Sequence, residues 1–166
     1  MLKIFGAIAI VIATSLIGIM SSDKLKQRVK EINLINYMLE EISILIRYKA
    51  MTVYEIVENL KGNPVFNQLT FLNNIEFNLQ MPFKIAWESN IDSMQSALKQ
   101  SDLKMLKSFG ATLGTSDIDG QLSTIAVFKE NFSQLEKEAI TNYEKKSKLY
   151  RSLGVLSGAF ISIMLI

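Results

Sequence analysis

Apolar residues gather at the two ends of this chain, and this distribution constrains its fold more than any other feature. Residues 4–20 form an uncharged run, which as a helix would extend about 26 Å, close to the ~30 Å hydrocarbon thickness of a bilayer. Residues 153–166 form a second apolar run. The sequence therefore predicts a transmembrane anchor over residues 1–21, a helical domain over residues 22–151, and a second anchor over residues 152–166.

A cleaved signal peptide is the alternative for the N-terminal run, and it needs a basic start and small residues at the cleavage site. Lys3 is the only charged side chain before the run, which ends in Ile19-Met20-Ser21-Ser22 without an Ala-x-Ala pattern. An uncleaved anchor is the better interpretation. The small residues within the run would let another transmembrane helix approach closely. They are Gly6, Ala7, Ala9, Ala13, Ser15 and Gly18.

The C-terminal run is shorter than a full membrane span, so a packed or re-entrant tail is the alternative to an anchor there. A basic cluster precedes this run, and Gly154 and Gly158 lie four residues apart within it. Both features favour insertion into the membrane beside another helix.

Basic residues cluster beside both apolar runs. Residues 22–30 and 144–151 each hold four basic residues and one acidic residue, whereas residues 31–143 hold nine basic and fourteen acidic residues. The positive-inside rule then places the intervening domain in the cytoplasm. The expected partner of the clusters is anionic lipid rather than nucleic acid, and the second cluster is expected at the membrane interface. The basic residues are Lys24, Lys26, Arg28, Lys30, Lys145, Lys146, Lys148 and Arg151.

The apolar periodicity of the domain predicts an all-α fold, because its spacings are of three, four and seven residues and no segment alternates as a strand does. We expect a helical bundle of about six helices, in which the first and last helices continue into the terminal anchors and pack near each other. The predicted helices end or begin at capping and breaking residues. The first helix runs to about Lys49, the second from a Thr52–Glu55 capping box to about Leu60, and the third from Asn63-Pro64 to about Phe77. After a loop over residues 78–82, the fourth runs from Phe83 to about Lys99. The fifth runs from a Ser101 cap to about Leu113, before Gly114, and the sixth begins at Ser116 or Asp117.

The chain has no Cys and no His, which excludes disulfides, thiolate or imidazole metal sites, and Ser-His or Cys-His nucleophiles. Glu40 and Glu41 are adjacent and point about 100° apart on a helix, so they indicate a solvated acidic face rather than an acid-base pair. Asp117 and Asp119 fit helix capping better than a metal loop. We therefore predict no catalytic residue, no cofactor and no metal site, and a protein that is not an enzyme.

Four residues are predicted to pack helices together. Trp87 is expected in the core rather than stacked on a ligand. The segment 106–114 has two glycines four residues apart, but it lacks the spacing of a phosphate-binding loop. Gly110 inside a helix instead indicates close contact with another helix, and we group it with Phe109 and Gly114 as packing residues.

The whole chain resembles the stage III sporulation protein AB family of endospore-forming bacteria. The most specific segments are LKSFGATLGTSD at residues 106–117 and the glycine pattern that closes the chain. The residues that carry the resemblance are MLKIFGA at 1–7, Ala13-Thr14, Gly18, Ile46-x-Tyr48, Thr52, Ala86-Trp87-Glu88, residues 106–117, Gln121, Lys148 and Ser152-Leu153-Gly154-x-Leu156-x-Gly158.

The resemblance implies a function that the residues alone do not. The family is similar to the cytoplasmic domains of inner-membrane platform proteins in type II secretion and type IV pilus systems. It implies a non-enzymatic platform of a sporulation-specific, secretion-like channel complex, placed in the mother-cell membrane that faces the forespore. The implied partners are a cytoplasmic secretion-type ATPase and other membrane proteins of the complex. The resemblance also allows a homo-oligomer.

Two alternatives from other classes remain. A membrane-tethered helical sensor or ligand-binding domain would need the opposite topology, against which the basic clusters argue. A membrane enzyme that uses carboxylates would need buried acidic pairs in a cleft. For a partner contact made by charge, we single out Arg28, Lys30, Glu40 and Glu41 on the first helix, beside Lys24 and Lys26.

Overall fold

The computed structural model describes residues 2–76 and 81–165, and within these ranges it contains helices and no strand. The predicted all-α fold with six helices is confirmed. The helices are α1 (Leu2–Lys49), α2 (Val53–Gly62), a 3-10 turn (Pro64–Gln68), α3 (Thr70–Asn73), α4 (Phe83–Ser93), α5 (Gln100–Thr112) and α6 (Ile118–Leu165).

The chain forms two compact units, and both long helices contribute to each. The terminal unit comprises the residues up to Val29 and those from Lys137 onward, and the central unit comprises Lys30–Glu136. As predicted, α6 runs without a break into the C-terminal apolar run. Both helices also pass the predicted domain boundaries without interruption, so those boundaries stay predictions.

The core of the central unit is built on the apolar stripe of α1. Its members recur at helical spacing and are almost completely buried, as the periodicity predicts. They are Ile32, Ile35, Leu39, Ile42 and Ile46. Each such side chain contributes about 1.5–3 kcal/mol when buried, so this stripe is a major source of the stability of the central unit.

Local hydrogen bonds and one glycine conformation set three of the helix ends. Thr52 and Glu55 form the predicted capping box at the start of α2. The pKa of Glu55 lies below its ordinary value because its carboxylate accepts hydrogen bonds from the backbone N–H and hydroxyl of Thr52. Gly114 follows α5 with a φ of 78°, which glycine adopts without strain. Asp117 accepts a hydrogen bond of 3.0 Å from the N–H of Gly120 and caps α6.

The third predicted helix, from residue 64 to residue 77, is wrong. The chain instead forms the 3-10 turn and the short α3, because Leu69 leaves the helical conformation with a ψ of 75°. Phe66 and Phe71 would point about 140° apart on one ideal helix, and the break lets both reach the core. The predicted end of this helix and most of the following loop lie outside the described residues.

The fourth helix is shorter than predicted, and the cap of the fifth differs. Glu31, which is buried, accepts hydrogen bonds from the Ser96 hydroxyl and the Ala97 N–H, which holds the segment after α4 in an extended form. The predicted Ser101 cap is wrong because Asp102 performs this role. Its carboxylate accepts the N–H of Lys99 at 2.9 Å, so α5 begins before Ser101.

Trp87 lies at the centre of the core with no exposed surface. Its ring contacts Phe71 and Phe109 at centroid distances of 5.0 and 6.0 Å, and its Nε1–H donates to the Leu106 carbonyl at 2.9 Å. Gly110 lies directly beneath the ring, where any side chain would overlap the indole. The absence of a Cβ at this position therefore lets α5 contact α4.

Replacing Gly110 with Ala should destabilise the central unit, because the added methyl group would displace a ring that is fully buried and hydrogen-bonded. Overpacking costs about 1–3 kcal/mol, which exceeds the helix propensity that Ala adds. We expect the thermal midpoint of the full chain in detergent, followed by circular dichroism, to fall by about 3–6 °C.

Gly62→Ala is the matched control, because open space surrounds Gly62 at the end of α2. Its midpoint should change little. A Gly110→Ala midpoint equal to that of the Gly62→Ala variant would contradict the described packing of Trp87.

Candidate membrane hairpin and docking groove

In the terminal unit, α1 and α6 run antiparallel with their backbones in contact. A Cβ on Gly18 would lie 2.5 Å from the carbonyl oxygen of Tyr150, and one on Gly158 would lie 2.8 Å from the Cα of Val11. A Cβ on Gly154 would lie 2.8 Å from the Thr14 carbonyl oxygen. The C-terminal run of the same chain therefore approaches Ser15 and Gly18 of the first run, whereas the predicted contact residues Gly6, Ala9 and Ala13 are exposed.

Three of the hydroxyl groups in these two segments donate hydrogen bonds within their own helices. Thr14 donates to the carbonyl of Ile10 or Val11 at 3.0 and 3.1 Å, and Ser15 donates to Val11 at 2.6 Å. Ser157 donates to Gly154 at 3.2 Å. These polar groups are thus satisfied without water, as the interior of a membrane requires.

The outward surface of this helical hairpin is apolar. Large exposed side chains cover both helices, a pattern that soluble monomers rarely show over such an area. They are Phe5, Ile8, Ile12, Leu16, Ile17, Ile19 and Met20 on α1, and Leu153, Val155, Leu156, Phe160, Ile161, Ile163 and Met164 on α6. Among the described residues, one helix, Ile8–Lys49, is long and apolar enough to cross a membrane. A membrane span at the C-terminal run stays a prediction.

The two arginines of the basic clusters join the helices at the base of the hairpin. Arg28 is only 4% exposed, and its guanidinium lies 3.6 Å from the Glu138 carboxylate. Arg151 donates to the Ser22 hydroxyl at 3.2 Å and lies 3.7 Å from the Asp23 carboxylate. Arg28 therefore faces α6 and offers a partner little surface.

The lysines of the same clusters are exposed, and they form no ion pair with another residue in the described ranges. Lys24, Lys26, Lys145, Lys146 and Lys148 belong to the terminal unit. Lys30 is likewise exposed, at the start of the central unit. The expected contacts of all six with lipid or a partner stay predictions.

A groove of about 620 Å³ lies between α1 and α6 in the central unit. Two of its lining residues, Lys129 and Glu40, form an ion pair, whereas Glu41 is half-buried and does not line the groove. Tyr48 is 77% exposed at its edge, beside the exposed Arg47. The lining residues are Glu40, Ser43, Ile44, Arg47, Tyr48, Leu122, Ile125, Ala126, Lys129, Glu130 and Ser133.

The groove brings together residues of α1 and α6 that the sequence analysis did not place at one site. Arg47 and Tyr48 follow Glu40 and Ile44 at helical spacing, so the pattern could have placed them on one face of α1. The contribution of α6 could not have been found this way, since it depends on the antiparallel register of two distant segments. No group of three or more acidic side chains in the described part of the chain is arranged to hold a metal ion.

Comparison with known proteins identifies the family. The model of the stage III sporulation protein AB family matches residues 3–166. The chain belongs to this family. It is similar to stage III sporulation protein AB of Bacillus subtilis (strain 168), with 26% identity over 170 residues and 99% of each chain covered. No solved structure matches the chain. The resemblance stated from the sequence motifs is thus confirmed, and the chain is a sporulation protein.

Cysteines at positions 14 and 158 should form a disulfide within one chain. A Cβ at position 158 would lie 3.5 Å from the Cβ of Thr14 and 2.8 Å from the Cα of Val11. An outward shift of α6 by a few tenths of an ångström would relieve the second contact and keep the two Cβ atoms within the range of about 3.5–4.5 Å that a disulfide bond spans. The chain has no native cysteine, so the Thr14→Cys, Gly158→Cys variant can be oxidised cleanly in membranes. We expect a faster-migrating monomer on a non-reducing gel.

Gly6→Cys combined with Gly158→Cys is the control, since no atom lies within 4 Å of a Cβ at Gly6. This pair should not cross-link within the monomer. If the Thr14→Cys, Gly158→Cys variant gave only cross-linked dimers, α1 would pair with α6 of a second copy, which would contradict the described fold.

Proposed function

We propose that this protein is a non-enzymatic membrane assembly platform of a sporulation-specific, secretion-like channel complex between mother cell and forespore. In this proposal the terminal unit is anchored in the mother-cell membrane and the central unit lies in the cytoplasm. The central unit docks a cytoplasmic secretion-type ATPase, and the hairpin contacts other membrane proteins of the complex. Membership of a sporulation family supports the cellular context.

The observation that carries this proposal is the open groove between α1 and α6 of the central unit. Its two walls are helices, and its lining combines aliphatic side chains with an ion pair and an unpaired cation. Such a groove suits an amphipathic helix, which lays its apolar face against Ile44 and Leu122. The surface is therefore suited to binding a protein segment.

Arg47 and Tyr48 are the expected anchors of that contact. Tyrosine and arginine are enriched among the residues that dominate binding energy. Both side chains are exposed at the edge of the groove, and Arg47 forms no ion pair with another described residue. A carboxylate on the docked helix would therefore find an available partner in Arg47. Glu40, which the sequence singled out for partner contact, contributes through its pair with Lys129.

The topology of the central unit can be measured by cysteine accessibility. Single cysteines at Ser89 and Ser101, both exposed, should react with a membrane-impermeant maleimide only after lysis of sporulating cells, because the basic clusters hold the central unit in the cytoplasm. Labelling in intact cells would reverse the topology and favour the sensor alternative over the platform.

The combined Arg47→Glu and Tyr48→Ala variant should lose at least tenfold of the ATPase that co-purifies with the full chain, because anchors of this kind contribute about 2 kcal/mol or more each. Lys104→Glu provides the matched control, since Lys104 is exposed on α5 and does not line the groove. Equal capture of the ATPase by the unchanged chain, the double variant and the Lys104→Glu control would refute docking at this groove.

A further inference from the structure

In the basic clusters of the terminal unit, the arginines and the lysines have different roles. The arginines are used within the fold, since Arg28 faces Glu138 and Arg151 contacts Ser22 and Asp23. The lysines point outward without a partner among the described residues. They are Lys24 and Lys26 on α1, and Lys145, Lys146 and Lys148 on α6.

These five lysines lie at one level of the hairpin. Two contacts join the antiparallel helices in this region: Ser22 contacts Arg151, and Arg28 contacts Glu138. All five lysines lie between these two contacts. Lys24 and Lys26 are about 3 Å apart along α1, and Lys145 to Lys148 span about 5 Å along α6. The unpaired positive charge is therefore concentrated in a narrow band around the helix pair.

The band lies beside the apolar surface of the hairpin. Met20 is the last exposed apolar residue of the N-terminal run, and Leu153 is the first of the C-terminal run. Each lies two residues from a basic cluster, so in an inserted hairpin the lysine ammonium groups would reach the level of the bilayer phosphates. Asp23 and Glu144 are exposed acidic residues at this level. Asp23 lies 3.7 Å from Arg151, and Glu144 forms no ion pair with another described residue.

We infer that Lys24, Lys26, Lys145, Lys146 and Lys148 form a binding band for anionic phospholipid headgroups. The chemistry is that of compact, mobile ammonium groups meeting phosphates whose positions vary, for which lysine is better suited than the planar fork of arginine. The inference rests on the membrane insertion of the hairpin in the proposed function. It adds a preference for lipid charge that anchoring alone does not require.

Native mass spectrometry of the full chain in neutral detergent measures this preference directly. Phosphatidylglycerol and phosphatidylcholine are titrated separately, with inorganic phosphate added as a competitor. Each lysine near a membrane surface contributes about a fivefold factor in affinity for anionic lipid. The variant with Lys24, Lys26, Lys145 and Lys148 changed to Gln should therefore lose at least tenfold of its preference for phosphatidylglycerol.

The control carries four Lys→Gln changes at Lys49, Lys84, Lys99 and Lys104, which are exposed in the central unit. Its preference should equal that of the unchanged chain, and inorganic phosphate should not displace the lipid. Lys→Arg changes at the four band positions should retain most of the binding, since the charge persists.

Alkaline extraction of membranes separates this inference from the proposed function. A band variant that resists extraction and keeps its full preference for phosphatidylglycerol overturns the lysine band while the anchor stands. A chain that alkali releases from membranes lacks the anchor, and both proposals then fail. Equal loss in the band variant and the control would show a dependence on net charge only and would also overturn the band.

Discussion

The antiparallel pairing of α1 and α6 is the interaction on which the rest of the structure depends. In the central unit it is fixed by Glu136, whose carboxylate accepts hydrogen bonds of 2.8 and 2.7 Å from the amides of Asn33 and Asn36. In the terminal unit it is fixed by close backbone contact at the glycines and, beside the basic clusters, by the contacts of Arg28 and Arg151. The two helices thus use steric fit in the apolar segments and polar complementarity elsewhere, in accord with the different solvents that these parts are proposed to meet.

The sequence predicts the features that depend on neighbouring residues. The capping box at Thr52, the end of α5 at Gly114 and the start of α6 after Asp117 follow from local hydrogen bonds and backbone conformation. Long-range contacts override local propensity elsewhere. Glu31 lies more than sixty residues from Ala97, and the hydrogen bond between them ends α4 early, which no local pattern reveals. The candidate groove is a further case, because only one of its two walls has a pattern that the sequence makes visible.

The distribution of charged residues becomes informative once contacts are known. From the sequence, Arg28 and Lys30 are equivalent members of one basic cluster. In the structure Arg28 is buried against α6, while Lys30 is exposed. A buried arginine needs a carboxylate partner, and Glu138 supplies one. Conversely Arg47, which belongs to no cluster, is the exposed cation beside the groove. Position relative to the second long helix, rather than local charge density, decides which basic residues can meet a partner.

The hydroxyls of Thr14, Ser15 and Ser157 bond within their own helices, and this has a consequence for how the hairpin could open. Separating the two apolar segments would break none of these hydrogen bonds and would cost dispersion contacts at the glycines. The contacts of Arg28 and Arg151 would break only if the helices also parted at the basic clusters. Another transmembrane helix with a similarly small surface could take the place of either segment in exchange for comparable contacts. Shape complementarity therefore favours the pairing of the two apolar segments, and Thr14, Ser15 and Ser157 keep their hydrogen bonds when the segments are apart.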